Sequence, residues 1–108
     1  MKKLLLILIA LPMIGFGQNV NIPDANFKAY LVGNALINTN GDTEIQVSEA
    51  TVFSDSISVG SWSISDLTGI EDFTSLTSLS CDGNQLTSID VSQNTALTQL
   101  RCSYNQLT

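Results

Sequence analysis

Apolar and polar residues alternate over short stretches in the last third of the chain. In the segment LTSLSCDGNQLT, residues 76–87, Leu79 and Cys81 are separated by a single polar residue. This period of two is typical of a half-buried strand, so we expect Leu79 and Cys81 to face inward while Ser78 and Ser80 face outward. The sequence therefore predicts a short strand here, followed by a polar turn.

The same pattern recurs as LTQLRCSYNQLT, residues 97–108. Such a repeat at a fixed interval indicates a stack of equivalent units. An Asn follows each predicted strand, at Asn84 and Asn105, and a buried Asn can satisfy backbone groups that a turn leaves unpaired. We expect these two Asn side chains to stack as a ladder between repeats. The outward positions of the two units are Ser78, Ser80, Asp82, Gln99, Arg101 and Ser103.

A weaker copy of the pattern precedes the first clear one at nearly the same interval. Ile57, Val59 and Ile64 take the apolar positions, but Trp62 stands where the later units have Asn. The first unit of a stack has no neighbour on one side and is expected to be atypical. We therefore predict that Trp62 belongs to a cap at the end of the stack; an exposed aromatic that stacks on a ligand is the alternative.

The shared pattern LxxLxCxxNxL resembles the leucine-rich repeat of secreted bacterial proteins. The resemblance implies an α/β repeat solenoid of parallel strands. Between the strands, a three-residue apolar step from Leu67 to Leu76 favours a tight helical turn on the convex side. Residues 56–108 would hold one degenerate, one complete and one truncated repeat, so we expect the chain to be a fragment of a longer solenoid.

Ahead of the repeats, residues 18–55 predict a small helical N-terminal cap, the name used for this segment below. Pro23 and Asp24 are placed to begin a helix and Gly33 to end it. Phe27, Tyr30 and Leu31 would lie on one apolar face. Its simplest role is to cover the exposed end of the first repeat.

Residues 1–17 have the composition of a signal peptide. Lys2 and Lys3 precede an apolar run over 4–14, and small residues follow, ending at Gly17. The run is shorter than the ~20 apolar residues that a membrane span needs. The sequence therefore predicts a secreted or cell-surface protein with no membrane insertion after cleavage.

The cap contains NTNGDTEIQVSE, residues 38–49, which resembles the calcium loops of EF-hands and dockerin modules. In that frame the candidate ligands are Asn38, Asn40, Asp42, Glu44 through its backbone carbonyl, Gln46 and Glu49. The first position is Asn instead of Asp, and Thr43 replaces the glycine of the turn, where strain is expected. Two interpretations stay open: a weak calcium site, with a dissociation constant of about 10⁻⁴ to 10⁻³ M, and a polar turn without an ion. No other cofactor is predicted.

Charge and composition narrow the function further. Without residues 1–17 the chain has two basic residues, Lys28 and Arg101, against ten acids, a net charge of −8. Such a chain repels nucleic acids and anionic membranes, so neither is expected as a partner. With no His and two Cys, it also has few residues from which catalytic sites are built, and we predict that it is not an enzyme.

Cys81 and Cys102 occupy the same inward position of adjacent repeats. Their Cα atoms would lie about 4.8 Å apart, within disulfide range, but parallel side chains suit that bond poorly. We favour a stack of small buried thiols over a disulfide.

The leucine-rich-repeat resemblance implies a binding or adhesion module that recognises a protein or glycan through its concave strand face. The alternative is a structural spacer that presents a domain beyond residue 108.

Overall fold

A computed structural model describes residues 18–108, and the predicted signal peptide lies outside the described residues. Two helices and three strands are joined by long irregular segments and a single-turn 3₁₀ helix. The elements are α1 Ala25–Val32, α2 Val47–Val52, β1 Ser56–Ser58, the 3₁₀ helix Ile70–Asp72, β2 Ser78–Ser80 and β3 Gln99–Arg101. Within the described part, no helix is long and apolar enough to span a membrane.

The three strands form one parallel sheet in the order β1-β2-β3. Ile57 pairs with Leu79, and Leu79 pairs with Leu100. Each partner is the equivalent residue of the neighbouring repeat, so the sheet adds one strand per sequence repeat. The prediction of a repeat solenoid with parallel strands is confirmed.

The core lies behind the sheet and extends into the convex turns. Leu79 and Cys81 are fully buried, as the alternation predicts, and so are Phe73 and Leu76 from the connecting segment. The rings of Phe53 and Phe73 meet edge to face with centroids 6.5 Å apart, which joins the cap to the repeats. Burial of an aromatic of this size contributes about 2–3 kcal/mol.

Helix α1 is fixed by Asp24 at its N-terminus. One carboxylate oxygen, Oδ1, accepts hydrogen bonds from the backbone N–H of Asn26 and Phe27, each at 3.0 Å. The other, Oδ2, accepts from the N–H of Ser65 at 2.9 Å and so ties the helix to the first repeat. Burial alone would raise the pKa of Asp24, but the N–H groups of Phe27, Ser65 and Asn26 hold it below its ordinary value.

The segment that precedes α1 also joins the cap to the repeats. Val20 donates its N–H to the carbonyl of Ile45 at 2.8 Å. On its other side the segment touches Gly69, which has φ +111°; a Cβ there would lie 2.9 Å from Cγ1 of Ile22. Glycine is required at position 69 both for its backbone conformation and for this contact.

The cap covers the outer edge of β1. The backbone N–H of Ser58 donates to the hydroxyl of Tyr30 at 3.3 Å. The Trp62 ring packs edge to face on Tyr30 with centroids 5.3 Å apart, yet Trp62 remains 41% exposed. Its position is compatible with both roles considered for it. At the opposite edge, Leu100 on β3 is 42% exposed, and no further strand pairs with it within residues 18–108.

Candidate recognition surface

The outward side chains of the sheet form a polar, low-relief face. Along one row lie Ser58, Ser80 and Arg101, and along a second lie Ser56, Ser78 and Gln99, because the strands are in register. The hydroxyl of Ser78 lies 3.3 Å from Oε1 of Gln99, a link between neighbouring strands.

Asp82 and Ser103 extend this face just past the strand ends. Oδ1 of Asp82 accepts the N–H of Ser103 at 2.6 Å. Its Oδ2 lies 3.3 Å from Nε of Arg101, whose side chain is 70% exposed. An ion pair in such an exposed position contributes at most ~1 kcal/mol. The structure thus places the six predicted face residues on two adjacent repeats, and ligand binding by them stays a prediction.

Asn84 connects the first two repeats through its side-chain amide. Its Oδ1 accepts the backbone N–H of Trp62 and of Ile64, both at 3.0 Å. Its Nδ2 donates to the carbonyls of Val59 and Cys81, both at 2.8 Å. The side chain therefore satisfies backbone groups on both sides of one repeat interface.

Asn105 makes the corresponding contacts one repeat later. Its Oδ1 accepts the N–H of Leu86 at 3.0 Å, and its Nδ2 donates to the carbonyls of Cys81 and Cys102 at 3.0 and 3.2 Å. Asn105 is only partly buried, whereas Asn84 is 5% exposed. The equivalent hydrogen bonds are therefore less exposed to solvent at Asn84 than at Asn105.

A third Asn, which the sequence reasoning missed, has a similar role on the convex side. Asn94 is 3% exposed and donates its Nδ2 to the carbonyls of Ile70 and Phe73 at 2.8 and 2.9 Å. It thereby satisfies carbonyls of the 3₁₀ turn in the preceding repeat. The signal was available: when the two clear repeats are aligned, Asn94 falls on the buried position of Phe73.

An open depression of about 420 Å³ lies next to this turn, between residues 66–71 and 88–93. Two aspartates that line it accept hydrogen bonds from residues two positions further along the chain. Oδ1 of Asp66 accepts from the N–H and hydroxyl of Thr68, and Oδ1 of Asp90 accepts from the N–H of Ser92. Hydrogen bonds from Ser92 also lower the pKa of Asp90. These contacts stabilise turns.

In the calcium-like loop, Glu49 organises the backbone. Its Oε2 accepts the N–H and the hydroxyl of Thr39 at 2.8 and 3.1 Å and the N–H of Asn40 at 3.2 Å. Its Oε1 accepts the N–H of Gln46 at 2.9 Å in a capping box that begins α2. Glu49 is 7% exposed, so this carboxylate is buried but fully hydrogen-bonded.

The other candidate ligands are linked mainly to one another. Oδ2 of Asp42 accepts hydrogen bonds from the side-chain amides of Asn40 and Gln46, at 3.2 and 3.0 Å. The amide of Asn38 donates to the Asp42 carbonyl at 2.7 Å, and its own Oδ1 is buried with no partner in the described residues. Glu44 pairs through its side chain with Nζ of Lys28 at 2.9 Å.

The loop turns at a different residue from the one expected. Gly41 has φ +72°, whereas Thr43 is not among the described residues with positive φ. The expectation of strain at Thr43 was wrong, because the left-handed conformation is taken by a glycine, which adopts it without steric conflict. Within residues 18–108 no group of three or more His, Cys, Asp or Glu side chains is placed to hold a metal ion.

Calcium binding by this loop stays a prediction with a structural condition attached. Calcium needs six to eight converging oxygens. The Glu49 carboxylate would have to exchange hydrogen bonds from Thr39, Asn40 and Gln46 for the ion. The amides of Asn40 and Gln46 would have to turn their oxygens inward.

The two thiols occupy equivalent positions just after β2 and β3 and are both free. Burial raises the pKa of Cys81 to about 11, and nearby Cys102 and Asp82 add to the effect. The Cys81 thiol is therefore protonated at neutral pH and behaves as a small apolar side chain. Cys102 is only partly buried.

These features together define the class of the fold. Parallel strands added once per sequence repeat, inward Leu and Cys, and an Asn after each later strand are those of a leucine-rich-repeat solenoid.

Comparison with solved structures supports this class and adds a bacterial setting. The chain is 38% identical to a functional domain of InlJ from Listeria monocytogenes that includes a cysteine ladder; the TM-score is 0.69, covering 84% of this chain and 20% of that one. The chain is 24% identical to an internalin, InlF, from the same species, with a TM-score of 0.70; the match covers 84% of this chain and 27% of that one. It is 25% identical to a structure of the CBM51-2 and INT domains of Clostridium perfringens ZmpB, with a TM-score of 0.56; the match covers 76% of this chain and 17% of that one.

The chain is thus similar to bacterial leucine-rich-repeat proteins of the internalin kind. It spans only about a fifth to a quarter of the length of the two Listeria structures. No protein-family profile and no curated protein matches it.

Proposed function

We propose that the chain is part of a secreted or cell-surface recognition module that binds a protein ligand through its concave strand face. The observation that carries the proposal is the continuous row of outward polar side chains on three in-register parallel strands. The likeness to internalins supports a protein ligand, and the signal-peptide pattern of residues 1–17 supports export.

The geometry of the sheet suits this role. Neighbouring strands lie about 4.8 Å apart, so equivalent side chains such as Ser58, Ser80 and Arg101 form a regular row. The serines on β1 and β2 are small and let a partner approach the backbone of these two strands closely, and each added repeat would widen the same face. A stable protein interface needs about 800 Å² from each partner, so a ligand would contact several neighbouring repeats together.

An array of extracellular proteins probed with the full chain tests the proposal. Ser80→Gln adds a bulky neutral side chain at the centre of the face, and it should weaken binding of any array hit at least tenfold. The matched control is Thr74→Gln, which adds the same side chain at an exposed position outside the strands and should leave binding unchanged.

Two results contradict the proposal. One is equal binding by the two variants, and the other is no saturable binding at all. Either result would favour the spacer function, because the serine-rich face would then only be solvated.

A further inference from the structure

The residue types that most often dominate protein interfaces are concentrated at one place in this molecule. Trp, Tyr and Arg are enriched at binding hot spots. The described chain has one Trp, two Tyr and one Arg, namely Trp62, Tyr30, Tyr104 and Arg101. All four lie at or beside the carboxyl ends of the strands or at the cap edge next to them.

The carboxyl ends of the strands form a regular rim, defined here as residues 60–62, 82–83 and 103–104. The N–H of Ser61 donates to the carbonyl of Asp82, and the N–H of Gly83 donates to that of Ser103, both at 2.9 Å. Ser61, Gly83 and Tyr104 all have left-handed backbones, with φ of 57°, 70° and 57°. They are therefore equivalent positions in three successive repeats.

The rim has an aromatic residue at each end and a glycine near its middle. Trp62 follows Ser61 in the first repeat, and Tyr104 lies in the third, two strand spacings or about 10 Å away. Between them is Gly83, where a Cβ would approach Oγ of Ser61 to 3.0 Å. In the second repeat the rim therefore carries one side chain, Asp82, between the two aromatic residues.

Neither aromatic residue is buried in the hydrophobic core. Trp62 is 41% exposed and Tyr104 is 87% exposed. Tyr104 is also a bulky residue with positive φ, an uncommon and strained conformation that glycine adopts freely. Gly83 shows that the equivalent turn is made with glycine one repeat earlier. The equivalent turns are made with Ser61 and Gly83, so the turn does not require a tyrosine at position 104, and its ring stays 87% exposed within residues 18–108.

Charge defines the partner. Asp82 lies on the rim with its side chain 24% exposed, and the chain beyond residue 17 has a net charge of −8. The two basic side chains in that part, Lys28 and Arg101, already pair with acids. A cation is attracted to the face of Trp or Tyr as well as to a carboxylate, and an acidic molecule accelerates the approach of a basic partner.

We propose that this rim is the hot spot of the module and binds a basic segment of a protein partner. A Lys or Arg side chain of the partner lies against Trp62 and Tyr104 and replaces the exposed Arg101 side chain beside the Asp82 carboxylate. The proposal deepens the proposed function and rests on it, since it names the part of the interface that supplies most of the affinity.

Trp62 is the only Trp and therefore reports on the rim directly by fluorescence. We would titrate the full chain with three short peptides, composed of Arg and Ser, Asp and Ser, and Gln and Ser, and with maltotetraose and chitotetraose. Only the Arg peptide should give a saturable change, and its affinity should fall at least fivefold when salt is raised from 50 to about 300 mM.

Tyr104→Gly is the decisive variant, because it removes the ring and suits the left-handed backbone, so folding is preserved. It should weaken binding of the Arg peptide at least fivefold. Leu36→Ala is the control, since it removes an apolar side chain of the cap that is 74% exposed, and it should leave binding unchanged. An equal response to the acidic peptide, a response to an oligosaccharide alone, no response, or full binding by Tyr104→Gly would each overturn the proposal.

The same variant separates this proposal from the proposed function. Suppose that a protein ligand found on the array binds Ser80→Gln more weakly but binds Tyr104→Gly as well as the wild type. This result would refute the rim as the hot spot and would still support binding through the concave face. A ligand that neither variant affects would remove both.

Discussion

Replacement of Asn84 by Ala should be among the most destabilising single changes in the repeats. The Ala variant leaves the N–H of Ile64 and the carbonyl of Val59 buried without a partner, because Asn84 is the only residue to which either group is hydrogen-bonded in the described chain. The carbonyl of Cys81 keeps its bond from Asn105, and the N–H of Trp62 is close to solvent.

Each buried unsatisfied group costs ~1–3 kcal/mol, and water entering the vacated space recovers part of that. We therefore expect the free energy of unfolding to fall by about 2–4 kcal/mol, a large share of the 5–15 kcal/mol typical of a domain. Urea unfolding followed by circular dichroism and by Trp62 fluorescence measures it.

Two further variants make the reasoning refutable. Asn84→Asp keeps the acceptor oxygen for Ile64 but loses the donors to Val59 and Cys81, so it should be destabilised to a similar extent. Asn105→Ala lies at the less buried end of the ladder and should lose only about 1 kcal/mol. If Asn105→Ala is as destabilised as Asn84→Ala, or if Asn84→Ala loses under ~1 kcal/mol, the burial argument is incorrect.

Three other predictions concern ionisable groups. The folded pKa of Asp24 lies below its ordinary 3.8, so its contribution to stability is complete above about pH 5 and is lost as the pH falls through the folded pKa. Asp24→Asn should remove this dependence and lower the free energy of unfolding by about 1 kcal/mol at pH 7, as thermal unfolding at a series of pH values would show. With a pKa of about 11, Cys81 should resist iodoacetamide at pH 8 while Cys102 is alkylated, as peptide mass spectrometry would show; equal rates would contradict its burial. Calcium at millimolar concentration should raise the melting temperature of the wild type by a few degrees but not that of Glu49→Ala, and equal shifts would exclude the loop as the site.

The regular part of the fold was predictable, because one sequence signal is repeated. The recurrence of the LxxLxCxxNxL pattern determined the parallel register, the inward Leu79 and Cys81, and the positions of Asn84 and Asn105. Asn94 was missed because its alignment with Phe73 indicates that the position is buried but does not indicate that a polar side chain there bonds the neighbouring repeat.

The loop illustrates the limit of reasoning from residue spacing. Alternating oxygen-bearing residues are consistent with a cation site, but the same spacing allows amides to donate hydrogen bonds to Asp42 and backbone N–H groups to bind Glu49. Which arrangement forms depends on the rotation of Asn40 and Gln46 amides, and spacing does not encode that rotation.

The contact between Tyr30 and Ser58 gives the sheet a direction of growth. The tyrosine hydroxyl accepts the outer N–H of Ser58, so the edge of β1 is covered and cannot pair with another strand. The outer edge of β3 has no strand partner within residues 18–108 and can accept one. An engineer who wished to lengthen the array would append further copies of the repeat after β3. A strand offered to the β1 side would first have to displace Tyr30 and the Trp62 ring packed on it.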